Sequence, residues 1–456
     1  MELRPYQADI IERTRAEMKA GHKSILIQAP TGAGKTALTV SMLKSAAEKG
    51  MPSWFLNHRR ELIRQSSKAF AKDSVHHGII AANFQADPRA PIQVASIQTL
   101  QNRLSKVKAP QFIVWDECHH IAAGSWEKIF AAYPNAYHVG LSATPVRLDG
   151  RGLGKYFATM VNGPSVAWLI ENKYLSKYKL FAPGGINTQG LHTRMGEFVH
   201  GELVNLVNKP SITGNAIKEY EKKCGGRRAL GFAVSIEHSE YVVAQFRARG
   251  ISAAHVDGDT PANLRDETLE RFEAGEILVV FNCQLFGEGV DLPAVEGLID
   301  LAPTLSLSAA MQRWGRVLRT FPGKDHAIIL DHAQNVIRHG LPDEEREWLL
   351  TTEGYRNKKD DVNIGVKVCP KCFGAQPARN SECEYCGLVF ITKAREVDLV
   401  EGDLEEVDPE LLRRRARQQQ GAAQTEDDLI ALGTERGYKR PRLWARHIMM
   451  ARKKRG

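Results

Sequence analysis

Two consecutive α/β domains built on parallel sheets, then a small cysteine module and a basic helical tail, are what the sequence predicts. Three observations carry this expectation. Short apolar runs ending in polar residues alternate with helical stretches, first up to about residue 145 and again from about residue 226 to residue 331. That alternation is the pattern of a parallel sheet covered by helices. Four of the seven cysteines cluster between residues 369 and 386. Charge is balanced up to residue 410, and the net +9 falls formally on residues 411–456, which hold 13 Lys/Arg and 4 Asp/Glu.

A length of 456 residues fits about three domains. Hydrophobic content of 43% with 25% charged residues is ordinary for a globular protein. No apolar run approaches the ~18 residues of a membrane span, and the start, M-E-L-R-P-Y-Q, has no signal-peptide core. A cytoplasmic, monomeric protein without membrane contact is expected. The basic tail points to a polyanionic partner, with a plain solvated tail as the alternative.

The first strand, residues 24–27, leads into residues 29–36, A-P-T-G-A-G-K-T, and a helix over residues 37–49. Strand, glycine loop and helix form the context of a phosphate-binding loop. Gly32 and Gly34 let the backbone curl so that N–H groups face phosphate oxygens, and the helix start adds its positive dipole end. Lys35 can reach the β- and γ-phosphates of ATP, the Thr36 hydroxyl can ligate Mg²⁺, and Thr31 is taken with the loop as nucleotide-binding. The general pattern begins with Gly where this chain has Ala29. A structural glycine turn is the alternative.

Upstream, residues 3–7 read L-R-P-Y-Q before a helix over residues 8–20. Gln7 carries an acceptor and two donors that can pair with an adenine edge, or it is a solvent-exposed Gln at a helix start. Residues 52–57 form a second strand, followed by H-R-R-E-L (58–62). There Arg59 and Arg60 can hold a phosphate backbone or form a surface charge cluster with Glu61. Residues 92–95 form another strand before S-I-Q-T-L (96–100).

Residues 112–115 (F-I-V-W) deliver D-E-C-H-H (116–120) at a strand tip. Asp116 can hold Mg²⁺ through water, Glu117 can orient and deprotonate the attacking water, and His119 can sense the γ-phosphate. The neighbouring Cys and His also permit a metal-ligand reading, which the phosphate loop makes unnecessary. Residues 138–141 form one more strand, ending in S-A-T-P (142–145) and Arg147.

In order and spacing these motifs resemble the superfamily 2 DEAD/DEAH-box helicases, in their D-E-x-H subclass. The resemblance implies two RecA-like domains facing each other across an ATP site. It also implies that Gln7 reads adenine, that Ser142 and Thr144 couple hydrolysis to domain motion, and that the stretches 58–62 and 96–100 touch a nucleic-acid backbone.

The second α/β pattern has strands at 229–233, 253–256, 277–281 and 327–330, and a helix over residues 239–249. Thr260 and Pro261 are expected as the cap and first residue of a further helix. Q-R-W-G-R-V-L-R (312–319) places Arg316 and Arg319 three apart, on one helical face. Two guanidiniums there can neutralise charge developing in phosphoryl transfer, or form a salt-bridged surface helix. F-G-E-G-V-D (286–291) and this arginine stretch resemble the fifth and sixth motifs of the same superfamily. By that resemblance Gly289 and Asp291 contact ATP or its ribose, and Gln312 touches the γ-phosphate or water. Relatives often carry Thr where this chain has Gly287.

Cys369-x-x-Cys372 and Cys383-x-x-Cys386 have the spacing of a zinc ribbon, in which four thiolates close a tetrahedral shell around structural Zn²⁺. Gly387 is expected to ease approach of a backbone N–H to sulfur. Residues 396–410 hold eight acidic residues and no basic one, an expected solvated linker. Residues 425–433 and 442–454 are expected helices, with Trp444 on the basic second one. Together with G-Y-K-R-P-R-L-W-A (437–445), these features resemble RadD-type bacterial repair ATPases and phage-encoded relatives.

The expected domains are 1–165 and 209–345 (RecA-like), joined by a connecting segment 166–208, then 366–392 (zinc knuckle) and 393–456 (acidic linker and basic tail). The expected activity is an ATP-dependent helicase or translocase acting on DNA. An RNA-dependent ATPase and an accessory ATPase that remodels a partner are the alternatives, and a single-strand-binding or recombination protein is an expected partner.

Overall fold

The apolar runs become strands β1 (Ser24–Gln28), β2 (Ser53–Asn57), β3 (His77–Ile80), β4 (Ile92–Ser96), β5 (Phe112–Trp115), β6 (Tyr137–Ser142) and β7 (Thr159–Asn162). They form one sheet in the order β3-β4-β2-β5-β6-β1-β7, with every pairing parallel. The computed structural model describes residues 2–58, 60–122, 124–147, 151–183, 188, 190–194, 197–207, 210–283, 295–351, 355–357, 365–390, 418–420, 422–435 and 441–453.

In this order β5, β6 and β1 are neighbours, so the D-E, S-A-T-P and glycine-loop stretches leave the sheet side by side at the same edge. Open parallel sheets place ligands at that edge. Two strands escaped the sequence pattern: β3 and β7 are the sheet's outermost strands, and each pairs on one side. A four-residue strand with one neighbour carries little continuous apolar signal.

Strand β8 (Lys177–Phe181) follows, then a two-residue ladder of β9 (Thr193–Arg194) and β10 (Glu197–Phe198). Strands β11 (Ala229–Phe232), β12 (Ala253–Val256), β13 (Val279–Asn282), β14 (Gly297–Asp300) and β15 (His326–Asp331) complete a second parallel sheet, in the order β12-β13-β11-β14-β15-β8. The expected connector 166–208 therefore supplies the edge strand of the second sheet. Its first three residues stay exposed or half-buried and only Leu180 and Phe181 are buried, as suits an edge position. Strand β14 went unread because it is four residues long and opens on Gly297, which a Cβ would drive to 2.9 Å from Ala229 Cβ. At the Thr260 position the expectation needs correcting. Pro261 is the N-cap of the helix Ala262–Glu273, and the Thr260 hydroxyl bonds Asp257 instead.

After the second sheet come two hairpins, β16 (Arg346–Trp348) with β17 (Tyr355–Asn357), and β18 (Val366–Val368) with β19 (Ala375–Pro377). The second belongs to the cysteine module, which docks on β8. Phe181 bridges Gly374, Ala182 N donates to Phe373 O at 3.0 Å, and the Tyr385 ring lies 5.4 Å from that of Phe181. The module thus covers a sheet edge that would otherwise stay open.

Residues Thr392–Gly456 form a separate unit. The acidic stretch 396–410 lies outside the described residues. The helix Glu426–Glu435 starts in a reciprocal cap, with Thr425 N on Asp428 Oδ2 at 3.0 Å and Asp428 N on Thr425 Oγ1 at 3.1 Å. It packs on the helix Pro441–Lys453, where Trp444 covers Gly433 and Arg446 pairs with Glu426 at 3.2 Å. Trp444 therefore serves the packing of this hairpin.

Candidate nucleotide site and metal centre

The glycine loop takes its shape from Gly32 and Gly34, at φ +88° and +81°, values that other residues adopt only with strain. Gly34 ends the loop as N-cap of the helix Lys35–Glu48. Gln7 holds the loop from outside. Its Nε2 donates to Ala33 O at 2.9 Å, its Oε1 accepts from Arg4 N at 2.9 Å, and Tyr6 donates to the same Ala33 carbonyl. Gln7 is buried, contrary to the exposed alternative, and one Nε2 hydrogen remains for another acceptor.

A cavity of about 490 Å³ opens over the loop. Thr31, Gly32, Gly34, Lys35 and Thr36 line it from the loop, Asp116 and Glu117 from the tip of β5, and Gln312, Arg316 and Arg319 from the second sheet's domain. Sequence-predicted residues from three separate stretches thus converge. Gly289, Asp291 and Gly287 lie outside the described residues, as do Arg59 and the side chains of Arg60 and Glu61. A second cavity, about 630 Å³, lies behind the loop against Pro30, Asn162 and Trp168, away from the acid pair.

Glu117 is the strained residue of the site, with φ +46°. That conformation carries its carboxylate to Lys35, with Nζ 2.7 Å from Oε1, while Glu117 N donates to Asp116 Oδ1 at 3.1 Å. Cys118 turns the other way, into the core, and burial pushes its thiol well above the usual range. A metal-ligand role for it is thereby removed. His119 is also buried, behind Glu117: its Nδ1 lies 3.5 Å from Glu117 Oε2 and 3.2 Å from Ser142 Oγ. His119 does not line the cavity, so a direct γ-phosphate sensor is not what the geometry offers.

The helix Leu307–Val317 brings Gln312 and Arg316, whereas Arg319 lies past its C-cap Leu318 and bridges Leu175, so the expected helical face shared by the two arginines does not form. Gly315 makes this approach possible, since a Cβ there would meet Thr31 Cβ at 2.4 Å. Buried Trp314 anchors the helix in the core. Arg316 is 5% exposed, which excludes the surface salt-bridge reading. Two groups here were invisible to sequence reasoning. Lys324 donates to the carbonyls of Val295, Val317 and Arg319, holding the backbone that carries the arginines, and burial brings its ammonium down to about 7. Tyr174 and Arg4 also border the cavity, with the guanidinium 5.0 Å over the ring. Tyr174 stacks with Trp168 and meets Tyr6 edge-on. Of this cluster only Arg4 and Tyr6 belong to a recognisable motif.

The four cysteines meet in one cluster, all sulfurs within 4.8 Å of one another. Cys369 Sγ lies 3.7 Å from Cys386 Sγ, and Cys372 Sγ 3.6 Å from Cys383 Sγ. A tetrahedral ion with metal–sulfur bonds of about 2.3 Å requires edges of about 3.8 Å, so the donor set fits one ion with no open position. Gly374 N donates to Cys372 Sγ at 3.4 Å, and backbone N–H groups of Lys371 and Cys372 to the Cys369 sulfur, whereas Gly387 N bonds the Cys383 carbonyl. That corrects the expectation for Gly387.

Residues 1–147 match the family "Type III restriction enzyme, res subunit", and residues 210–321 match "Helicase conserved C-terminal domain". The chain is 34% identical over 387 residues to the "51.5 kDa protein" of a Lactococcus phage, covering 84% of this chain and 82% of that protein. It is 26% identical over 363 residues to the "DNA 3'-5' translocase XPB2" of Sulfurisphaera tokodaii, covering 70% and 79%. A longer Saccharomyces cerevisiae relative is 29% identical, and the chain spans about half (51%) of its length. Among solved structures, the ATP-dependent Type ISP restriction-modification enzyme LlaBIII bound to DNA superposes with a TM-score of 0.56 at 17% identity, over 72% of this chain and 27% of that one. This last likeness is one of fold. No helix among the described residues is long and apolar enough to cross a membrane.

Proposed function

Because this chain belongs to the superfamily 2 helicases, ATP-hydrolysing enzymes, we propose that it is a DNA translocase whose work cycle runs through the Lys35–Glu117 cleft. The observation that carries the reading is the 2.7 Å pair of Lys35 and Glu117 at the foot of a cavity that both domains line. Lys35, Thr36 and the loop N–H groups hold the phosphates of ATP. Asp116 with Thr36 holds Mg²⁺, which supplies charge neutralisation on the phosphate oxygens. Arrival of a phosphate at Lys35 releases the Glu117 carboxylate, which then takes a proton from the attacking water. Arg316 and Arg319 offset charge spreading onto the transferred phosphoryl group, and Gln312 orients that group or the water. The Arg4–Tyr174 surface and the remaining Gln7 N–H face the base. Gly289 and Asp291 keep the ribose-side role of the family's fifth motif.

The four-cysteine module holds one structural Zn²⁺ and stiffens the edge at β8. The 1–165 domain supplies the ligands for binding, and the second domain, taken here to begin at β8, supplies the groups for turnover. DNA is favoured as the track by the Sulfurisphaera tokodaii relative, a DNA translocase by name, by the restriction-enzyme family matched by residues 1–147, and by the basic tail. ATPase rates measured with single-stranded DNA, duplex DNA and RNA at equal nucleotide concentration test the proposal. Stimulation by DNA several-fold above RNA is expected. Stimulation by RNA alone would replace DNA with RNA as the track.

A further inference from the structure

The helix Leu307–Val317 turns one row toward the first domain: Ser308, Gln312 and Arg316, four residues apart and each more than nine-tenths buried. Ser308 stands in the first turn, where serine commonly caps a helix. That task is already filled by Ser306, whose side chain accepts from Ala309 N at 3.2 Å. The Ser308 hydroxyl is used differently. Its Oγ accepts from Thr144 Oγ1 at 2.6 Å, across 164 residues of sequence, and from Gln312 Nε2 at 3.4 Å.

On the first domain Thr144 belongs to a chain of polar contacts. Ser142 donates its hydroxyl proton to Thr144 O at 2.9 Å and accepts from Thr144 N at 3.2 Å. Ser142 Oγ also lies 3.2 Å from His119 Nδ1. The same Nδ1 stands 3.5 Å from Glu117 Oε2. Polar groups thus run from Glu117 through His119, Ser142 and Thr144 to Ser308 and Gln312. They cross between the domains at one pair of hydroxyls.

We propose that Ser308 is a positioning residue: its contact with Thr144 sets Gln312, and Arg316 one turn further, against the Glu117 side of the cleft. The proposal rests on the reading of that cleft as the ATPase site. A buried hydroxyl pair is directional and short, so its loss shifts the helix relative to the acid pair and removes no group of the phosphate loop itself.

The test is a double-mutant cycle with Ser308→Ala and Thr144→Val, read by DNA-stimulated ATP hydrolysis. Ser308→Ala should lower kcat about tenfold and leave KM for ATP within about twofold. The double variant should be no slower than the slower single one, because both remove the same hydrogen bond. Wild-type kcat in Ser308→Ala, or losses that multiply in the double variant, would overturn the proposal. Thermal melting of each variant separates an unfolded protein from a misplaced helix. Energy transfer between a dye on each domain, without nucleotide, gives a readout independent of turnover: Ser308→Ala should widen the distance distribution, and an unchanged distribution counts against the proposal. If the wild-type protein hydrolyses no ATP with any nucleic acid, the ATPase reading fails, and the dye distances alone decide for or against the Ser308–Thr144 bond.

Discussion

The two sheets are built alike but contribute unlike chemistry to the cleft. The first offers three adjacent strand ends, β1, β5 and β6, each carrying polar residues directly off a buried strand. The second offers one face of one helix, seated by Gly315 against Thr31 and by Ser308 against Thr144, with Arg319 just past that helix's end. Strand tips are held by the sheet on both sides and move little. A helix face held by side-chain contacts can come and go with domain motion. Loss of a group from the first set should therefore damage binding or chemistry outright, and loss from the second should damage turnover alone.

The sharpest way to break that contrast is at Glu117. Glu117→Gln removes the base but keeps the shape of the side chain, so ATP turnover should fall to background while ATP still binds. Lys35→Ala should lose nucleotide binding itself, and filter or calorimetric binding alongside steady-state hydrolysis separates the two. Turnover at the wild-type rate in Glu117→Gln would remove Glu117 from its role. Next in size is Arg316→Ala on the helix face. It should keep ATP affinity near wild type and lose roughly 10³-fold or more in turnover, as arginine fingers do. A loss below tenfold would shift the weight to Arg319.

A smaller effect is expected at the module that covers β8. Cys372→Ser should cost the bound metal, measured as zinc per chain, and lower the melting temperature. Protection of the β8 edge against hydrogen exchange should fall with it, while ATP affinity stays put. Full metal content in a variant with all four cysteines replaced by serine would rule the site out. Deleting residues 411–456 should act outside both sheets. DNA affinity should weaken and the log–log salt slope flatten by several units, at about 0.7–0.9 for each phosphate no longer neutralised, with basal ATP hydrolysis unchanged. An unchanged slope would make the tail a protein-docking segment.

The smallest effect concerns pH. Asp331, at the end of β15, is fully buried; burial first, then the charge of Asp300, raises its carboxyl well above the usual carboxylate range, against the pull of the Val336 and Asn335 N–H groups and of Arg338. Arg313, bound to Asp300, faces the same cluster. The folded state therefore holds this proton to higher pH than the unfolded chain. The stability it contributes is present below the ordinary carboxylate pKa and is lost as pH rises through the raised value. Melting of the wild type from pH 5 to 8 should show a loss on the order of 1–2 kcal/mol from this group, and Asp331→Asn should flatten it.

What the sequence determined by itself was local: the glycine loop between a strand and a helix, the acid pair after F-I-V-W, Arg316 on a helix and the two C-x-x-C pairs. Each is written within a few residues, because backbone curl, strand burial and chelate spacing are short-range properties. The edge strands β3 and β7 and the glycine-led β14 were decided by partners far along the chain, since a short run that pairs on one side, or opens on glycine, carries little signal apart from the sheet that receives it. The same holds within the cleft. Gln7 reads as a base contact in sequence, and tertiary structure adds a second task, the bracing of Ala33. His119 reads as a phosphate sensor, and the fold sets it behind Glu117 on Ser142. Ser308 and Lys324 carry no motif at all. Their roles exist because packing brings a hydroxyl to Thr144 and an ammonium beneath the Arg319 carbonyl. A hydrogen bond is decided by separations of about 3 Å in space, and no spacing in sequence encodes it when its partners lie 164 residues apart.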